Sequence, residues 1–144
     1  MHNAINVSHV SKSFLNDLTY EINGIAISIH KALGPGLLES VYHQCMAHEL
    51  TLQKIKFESE LTVPILYKEI RIQSTLRCDF FIENCIVVEL KGHEKILRIH
   101  EAQTMTYMKL LHAPKGIIYN FNVVNLYSEG QKTYVNNLFR NLPE

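Results

Sequence analysis

The strongest constraint in the sequence is a pair of alternating apolar runs that flank residues 83–85. Side chains alternate between the two faces of a strand, so each run has one apolar face and one more polar face. A shift of one residue would turn the apolar set of one strand to the wrong face, so a connection of three residues is required. The pattern therefore predicts an antiparallel hairpin with three facing apolar pairs. These pairs are Ile82 with Ile86, Phe80 with Val88, and Cys78 with Leu90.

The same register places two carboxylates and a lysine on the opposite face of the hairpin. Asp79 lies across from Glu89, and Lys91 follows two residues later on the same face. Facing carboxylates repel one another and weaken a sheet, whereas a divalent cation between them removes that cost. Magnesium prefers oxygen ligands and retains waters, and the peptide carbonyl of Leu90 would be a further ligand. The alternative is a surface salt bridge among the three side chains on a half-solvated sheet face.

Helical and strand periodicities alternate along the rest of the chain. Apolar residues recur at helical spacing over 17–33, 37–53 and 97–111, and Gly34-Pro35-Gly36 ends the first of these helices. The predicted strands cover residues 62–67, 69–74, 76–82, 86–91, 116–121 and 123–127. The tail after residue 127 is predicted to form a short helix or strand. This order predicts an α/β fold with a mixed sheet flanked by helices, in one domain of residues 1–144 with a loosely ordered lead-in over 1–15.

The charge balance limits how the chain could bind nucleic acid. Fourteen basic residues balance fourteen acidic ones, so the basic excess that usually drives sequence-independent duplex binding is absent. Any role on nucleic acid must then depend on a metal ion, on a partner or on a local patch. A local basic run is present around the candidate site, and it consists of Lys91, His93, Lys95, Arg98 and His100.

Other features favour a cytoplasmic protein. The sequence has no apolar run of membrane-spanning length, and its first residues lack the basic start and apolar stretch of a signal peptide. The three cysteines form no CxxC pair and are expected to be reduced. Histidines fall on separate predicted elements without ligand spacing, which argues against zinc. We therefore expect no membrane association.

Several segments together resemble a known family of nucleases. Asp79, followed after nine residues by Glu89-Leu90-Lys91, is similar to the signature of the PD-(D/E)xK nuclease superfamily. The segment Gly36-Leu37-Leu38-Glu39-Ser40-Val41-Tyr42 resembles the motif of the bacterial GxxExxY proteins, a branch of that superfamily. The similarity extends through residues 30–36, 100–103 with Tyr107, and 116–121. In one departure, Arg77-Cys78 precedes Asp79 where the superfamily name has proline.

The resemblance implies a restriction-endonuclease-like core and assigns roles to its residues. It implies Asp79 and Glu89 as metal ligands and Lys91 as the catalytic lysine. Glu39 matches a further carboxylate that such folds often supply from the helix before the sheet, where it would bind a second metal ion or a water. A carboxylate at that position is also favoured by the helix dipole alone.

The helix over 97–111 carries two further candidates. Gln103 matches a polar residue that faces the site in related nucleases, and Tyr107 lies one turn later on the same helix face. Ordinary packing against the sheet would explain Gln103 equally well and is the favoured explanation for Tyr107. Tyr42, three residues after Glu39, is expected to pack beside it rather than take part in chemistry.

The leading hypothesis is a nuclease dependent on Mg²⁺ or Mn²⁺ that hydrolyses phosphodiester bonds of DNA or RNA. The alternative is a non-catalytic binding or assembly module that retains the nuclease fold and metal pocket. Such a module would act through a protein partner or as a homodimer.

Overall fold

The computed structural model describes residues 10–92 and 95–144 of the chain. The described helices are α1 Lys12–Leu33, α2 Glu39–Leu52, α3 Arg98–Leu110 and α4 Asn137–Arg140. The described strands are β1 Phe57–Thr62, β2 Ile65–Tyr67, β3 Ile70–Ile72, β4 Arg77–Ile82, β5 Ile86–Lys91, β6 Lys115–Asn120 and β7 Gln131–Val135. Within these residues, no helix is both long and apolar enough to cross a membrane.

Helix α1 has clear start and stop signals. The Ser11 hydroxyl accepts a hydrogen bond from the Phe14 backbone N–H at 3.0 Å, which satisfies one of the free donors of the first turn. The helix ends at Gly34, whose φ of +73° is costly for residues with a side chain. The predicted start at residue 17 is too late, because residues 12–16 are helical and Leu15 is fully buried. Residues 1–9 of the predicted lead-in lie outside the described residues.

Five strands form one mixed sheet in the order β1-β4-β5-β6-β7. Strands β5 and β6 are parallel, and the other neighbours are antiparallel. The parallel pair is joined through α3, since such a connection needs a crossover of a dozen or more residues. Every residue of β6 is buried, as expected for a strand covered on both faces. The predicted α/β class, with a mixed sheet and flanking helices, is confirmed.

Helices cover both faces of the sheet and enclose two apolar clusters. Helices α1 and α2 pack on the face that carries Phe80, Val88 and Leu90. Helix α3 packs on the opposite face, which carries Phe81 and Val87. The hairpin between β4 and β5 thus contributes side chains to both clusters, and this arrangement fixes its register.

Two strand predictions differ from the structure. Strand β1 was predicted only at its last residue, because it is an edge strand whose exposed sequence lacks apolar alternation. The strand predicted over 123–127 is wrong. That segment leads into a π-helical turn, Leu126–Gly130, in which the Asn125 side chain accepts from the Ser128 backbone N–H at 3.0 Å. Short apolar runs carry little information about helix or strand, and Val124 is in fact exposed.

Strands β2 and β3 form a separate two-stranded hairpin beyond the β1–β4 end of the sheet. Its turn residues are Lys68 and Glu69, with φ of +46° and +71°, so residue 69, predicted to begin the second strand, belongs to the turn. Both turn residues with positive φ match the twist of a tight antiparallel hairpin. The tail after residue 127 was predicted to form a short helix or strand. It contains both, since strand β7 is followed by helix α4.

Candidate metal centre

At Asp79 and Glu89, side-chain hydrogen bonds replace the backbone pairing between β4 and β5. The paired residues are Phe80 with Val88, Phe81 with Val87 and Ile82 with Ile86, which confirms the three-residue connection and two of the three predicted apolar pairs. The third predicted pair, Cys78 with Leu90, is not part of the ladder. One step further, Glu89 Oε2 accepts the Asp79 backbone N–H at 2.8 Å. Asp79 Oδ2 accepts the Leu90 backbone N–H, also at 2.8 Å. The two carboxylates therefore lie close together where the backbone pairing of β4 and β5 ends.

The backbone of β4 twists at Asp79. Its N–H bonds to Glu89, whereas its carbonyl oxygen lies 3.3 Å from Nε2 of His43, which reaches it from α2. Across the sheet in β1, Glu60 has a φ of +49°, so the irregularity extends to the neighbouring strand. The twist interrupts the alternation of faces. Cys78 consequently packs with Phe81 in the α3-side cluster, and the prediction that it shares a face with Phe80 is wrong.

Glu89 is buried beside another carboxyl group. Its residue is 6% exposed, and burial raises its pKa well above the usual range. The neighbouring charge of Asp79 raises this pKa further, while the positive charge of Lys91 opposes the rise. A buried carboxyl pair of this kind favours either a proton or a cation over two free negative charges.

Two further side chains lie close enough to this carboxyl pair to be affected by it. Burial raises the pKa of the Tyr107 hydroxyl to about 12, and the charges of Glu89 and Asp79 contribute to that rise. Burial also raises the pKa of the Cys78 thiol, again with contributions from both carboxylates. Tyr107 of helix α3 is 2% exposed and packs in the same cluster as Cys78 and Val87.

The donor set around the carboxyl pair suits a hard divalent cation. The N–H and C=O of one strand residue point to the same edge, so the Leu90 carbonyl is directed toward β4, like its N–H. Its carbonyl and the two carboxylates offer only oxygen atoms, which Mg²⁺ and Mn²⁺ prefer. The Lys91 carbonyl points the other way and accepts the Phe121 N–H at 2.8 Å. Asp79, Glu89 and Leu90 thus fit a metal ion of this class.

Glu39 lies at the first position of α2, against the end of β5. Its Oε1 accepts the backbone N–H of Gly92 at 3.3 Å, and Gly92 directly follows Lys91. Within residues 10–92 and 95–144, no three side chains of the types His, Cys, Asp and Glu are grouped closely enough to hold a metal ion. The structure therefore brings Asp79 and Glu89 together, but it does not bring Glu39 into a three-residue cluster with them.

The remaining predicted residues lie on or before α3. Gln103 is half-buried, and no hydrogen bond between described residues joins it to Asp79 or Glu89. His100 caps its own helix, because its Nδ1 accepts the Leu97 N–H at 3.1 Å. Lys95 and Arg98 are exposed, and His93 lies outside the described residues.

The sequence prediction missed the part that His43 takes in the surroundings of the site. Its ring stacks on Phe80 with a centroid separation of 4.3 Å, which brings its Nε2 to the Asp79 carbonyl. The spacing of His43 four residues after Glu39 indicated only that both lie on one face of α2. No pattern in the sequence predicts that this face meets the twisted backbone at Asp79.

Comparison with known proteins identifies a family. A family model described as the PD-(D/E)XK nuclease superfamily matches residues 16–133, a span that includes Asp79, Glu89 and Lys91. The searches of curated proteins and of solved structures found no match. The narrower assignment to the GxxExxY proteins stays a prediction. Since the match covers most of the sequence and the sheet agrees with it, the chain belongs to the PD-(D/E)XK nuclease superfamily.

Proposed function

We propose that the protein is a metal-dependent nuclease that hydrolyses phosphodiester bonds in DNA or RNA. Members of this superfamily are usually nucleases and generally use divalent metals. The observation that carries the proposal is a pair of hydrogen bonds at the end of the β4–β5 ladder, in which Glu89 accepts the Asp79 N–H and Asp79 accepts the Leu90 N–H. A purely structural salt bridge would pair these carboxylates with Lys91, and no such ion pair occurs among the described residues.

The proposed roles follow from position and charge. Asp79, Glu89 and the Leu90 carbonyl would hold Mg²⁺ or Mn²⁺. A bound ion of this kind acts as a Lewis acid toward a phosphodiester and makes water more acidic. The ammonium group of Lys91 would orient an attacking water and offset the negative charge that develops on the phosphate. Glu39, on the Gly92 side, would hold a water or a second cation.

Gln103 and Tyr107 would shape the α3 side of this site. Tyr107 is buried and lies near both carboxylates, so it limits how many waters reach them. Gln103, one turn earlier and half-buried, would face the bound substrate with its amide group. Neither residue carries a charge at neutral pH that would compete with a cation.

A binding or assembly module is the second candidate. The absence of a three-residue ligand group among the described residues and the balanced charge of the chain favour it. A module of this kind would bind a protein partner or a second copy of the chain and cleave nothing.

The two candidates differ in one assay. The purified protein is incubated with Mn²⁺ and with single- and double-stranded DNA and RNA, beside a Glu89→Ala variant. The nuclease proposal expects cleavage of at least one substrate by the wild type and none by the variant. If the wild type binds Mn²⁺ but leaves all four substrates intact, the module is the better account.

A further inference from the structure

The hydroxyl group of Tyr42 bridges the loop between α1 and α2. It donates to the Gly34 carbonyl at 2.7 Å and accepts the Leu37 backbone N–H at 3.1 Å. Tyr42 itself is fully buried. A single buried oxygen thus connects the beginning and the end of the loop and satisfies one backbone donor and one acceptor that no regular structure serves.

The loop depends on this bridge because its backbone is unusual. Gly34 and Gly36 have φ of +73° and +94°, conformations that only glycine adopts without strain. Such glycines make a loop flexible when nothing else ties it down. The two hydrogen bonds to Tyr42 select one conformation, and that conformation sets where α2 begins.

The ring of Tyr42 ties the same loop to the end of β5. It stacks on Phe121 with a centroid separation of 4.2 Å and an interplanar angle of 6°. The backbone N–H of Phe121 donates to the Lys91 carbonyl at 2.8 Å. Tyr42 therefore contacts the loop through its oxygen and the Phe121–Lys91 connection through its ring.

The loop between α1 and α2 also packs against Gly92, the residue after Lys91. A Cβ atom on Gly92 would come within 3.1 Å of the Leu37 carbonyl oxygen and 3.0 Å of Glu39 Cγ. The Gly92 N–H already donates to Glu39 Oε1. Because the Leu37 N–H donates to the Tyr42 hydroxyl, Tyr42 determines how closely Leu37 approaches Gly92.

We propose that Tyr42 is a positioning residue for Glu39. Its hydroxyl fixes the loop so that the Glu39 carboxylate is held against Gly92, next to Lys91. The role in cleavage rests on the proposed function, in which Glu39 lines the site. The positioning itself is a property of the folded chain and is measurable without any cleavage.

The first test uses the amide resonance of Gly92 in the metal-free protein. Glu39→Ala removes the acceptor and defines the resonance position of an unbonded Gly92. Tyr42→Phe keeps the ring and its stacking but removes the hydroxyl. We expect the Gly92 resonance of Tyr42→Phe to move toward its position in Glu39→Ala. In the double variant Tyr42→Phe/Glu39→Ala it should coincide with that position.

The matched control is Tyr119→Phe, which removes another buried tyrosine hydroxyl that bonds to Asn23 of α1 at 2.5 Å. It should leave the Gly92 resonance in place. A Gly92 resonance that is unchanged in Tyr42→Phe, or that moves equally in Tyr119→Phe, overturns the proposal.

The second test measures Mn²⁺-dependent cleavage in a double-mutant cycle. A displacement of Glu39 by a fraction of an ångström should lower kcat about tenfold in Tyr42→Phe. In the Glu39→Ala background the same change should alter kcat less than about twofold, because the residue through which Tyr42 acts is absent. An equal loss in both backgrounds contradicts positioning through Glu39. A wild type without cleavage refutes the proposed function, and the Gly92 resonance then still decides the proposal on Tyr42.

Discussion

The Glu89 carboxylate accepts the backbone N–H of Asp79 at 2.8 Å, where a regular ladder would place a backbone carbonyl. The Asp79 carboxylate accepts the Leu90 backbone N–H at the same distance. Both acidic side chains thus accept main-chain donors, and no ion pair within residues 10–92 and 95–144 joins them to a basic side chain. Burial and mutual repulsion favour a proton or a cation at this pair over two free negative charges, and four predictions follow from this geometry and from that of its neighbours.

Mn²⁺ should stabilise the native state through Asp79. An ion that binds only the folded chain contributes about 2.7 kcal/mol at a concentration of about 100 times Kd, which corresponds to a rise in Tm of roughly 5–10 °C. Asp79→Asn should remove most of that rise. Asp17→Asn, the same change at an exposed position of α1, should retain it. Equal Mn²⁺ responses in the two variants would place the ion elsewhere.

Glu89 should make the metal-free protein less stable as pH rises. Its pKa is raised in the native state, so this carboxyl contributes stability that is complete below its ordinary pKa near 4.5. That contribution is lost as pH rises through the native pKa. Glu89→Gln cannot ionise, and its Tm should therefore exceed that of the wild type increasingly as pH rises above about 4.5. Parallel Tm curves for the two proteins over this range would contradict the raised pKa.

A side chain at Gly92 should destabilise the protein. The Cβ of alanine would approach Glu39 N and the Leu37 carbonyl oxygen, both backbone atoms, at 3.1 Å. Gly92→Ala should then cost about 1–3 kcal/mol of unfolding free energy and displace Glu39. The control is Gly24→Ala within α1, where nothing lies within 4 Å and alanine should stabilise the helix by about 0.5–1 kcal/mol. Denaturant unfolding measures both changes in free energy. Equal stability of the two variants would show that the loop moves aside without cost.

Much of the fold could be predicted because the hairpin around residues 83–85 has a strong pattern. Its two apolar sets allow one register, and that register brings Asp79 to Glu89. The pattern could not predict the twist at Asp79, where the carbonyl oxygen meets His43 from a distant helix and the neighbouring strand is irregular. Cys78 was therefore placed on the wrong face.

The position of Tyr42 shows a second limit of sequence analysis. Its spacing from Glu39 predicts neighbouring side chains on α2, and the structure adds that its hydroxyl turns back to Gly34 and Leu37. A hydrogen bond to a loop with positive φ has no periodicity and leaves no signal in the sequence. The edge strand β1 is similar, because pairing with β4 rather than apolar alternation makes it a strand.

Lys91 provides the most direct test of the claim that this site cleaves phosphodiesters. The measurement is Mn²⁺-dependent cleavage beside Mn²⁺ binding, for the wild type, Lys91→Ala, Lys91→Met and the exposed control Lys109→Ala. Lys91 holds no metal, so both of its variants should bind Mn²⁺ at least as tightly as the wild type. Their cleavage should fall about 100-fold or more, because the ammonium group acts on charge that develops in the transition state. The control should cleave like the wild type, whereas full cleavage by Lys91→Ala would contradict the account.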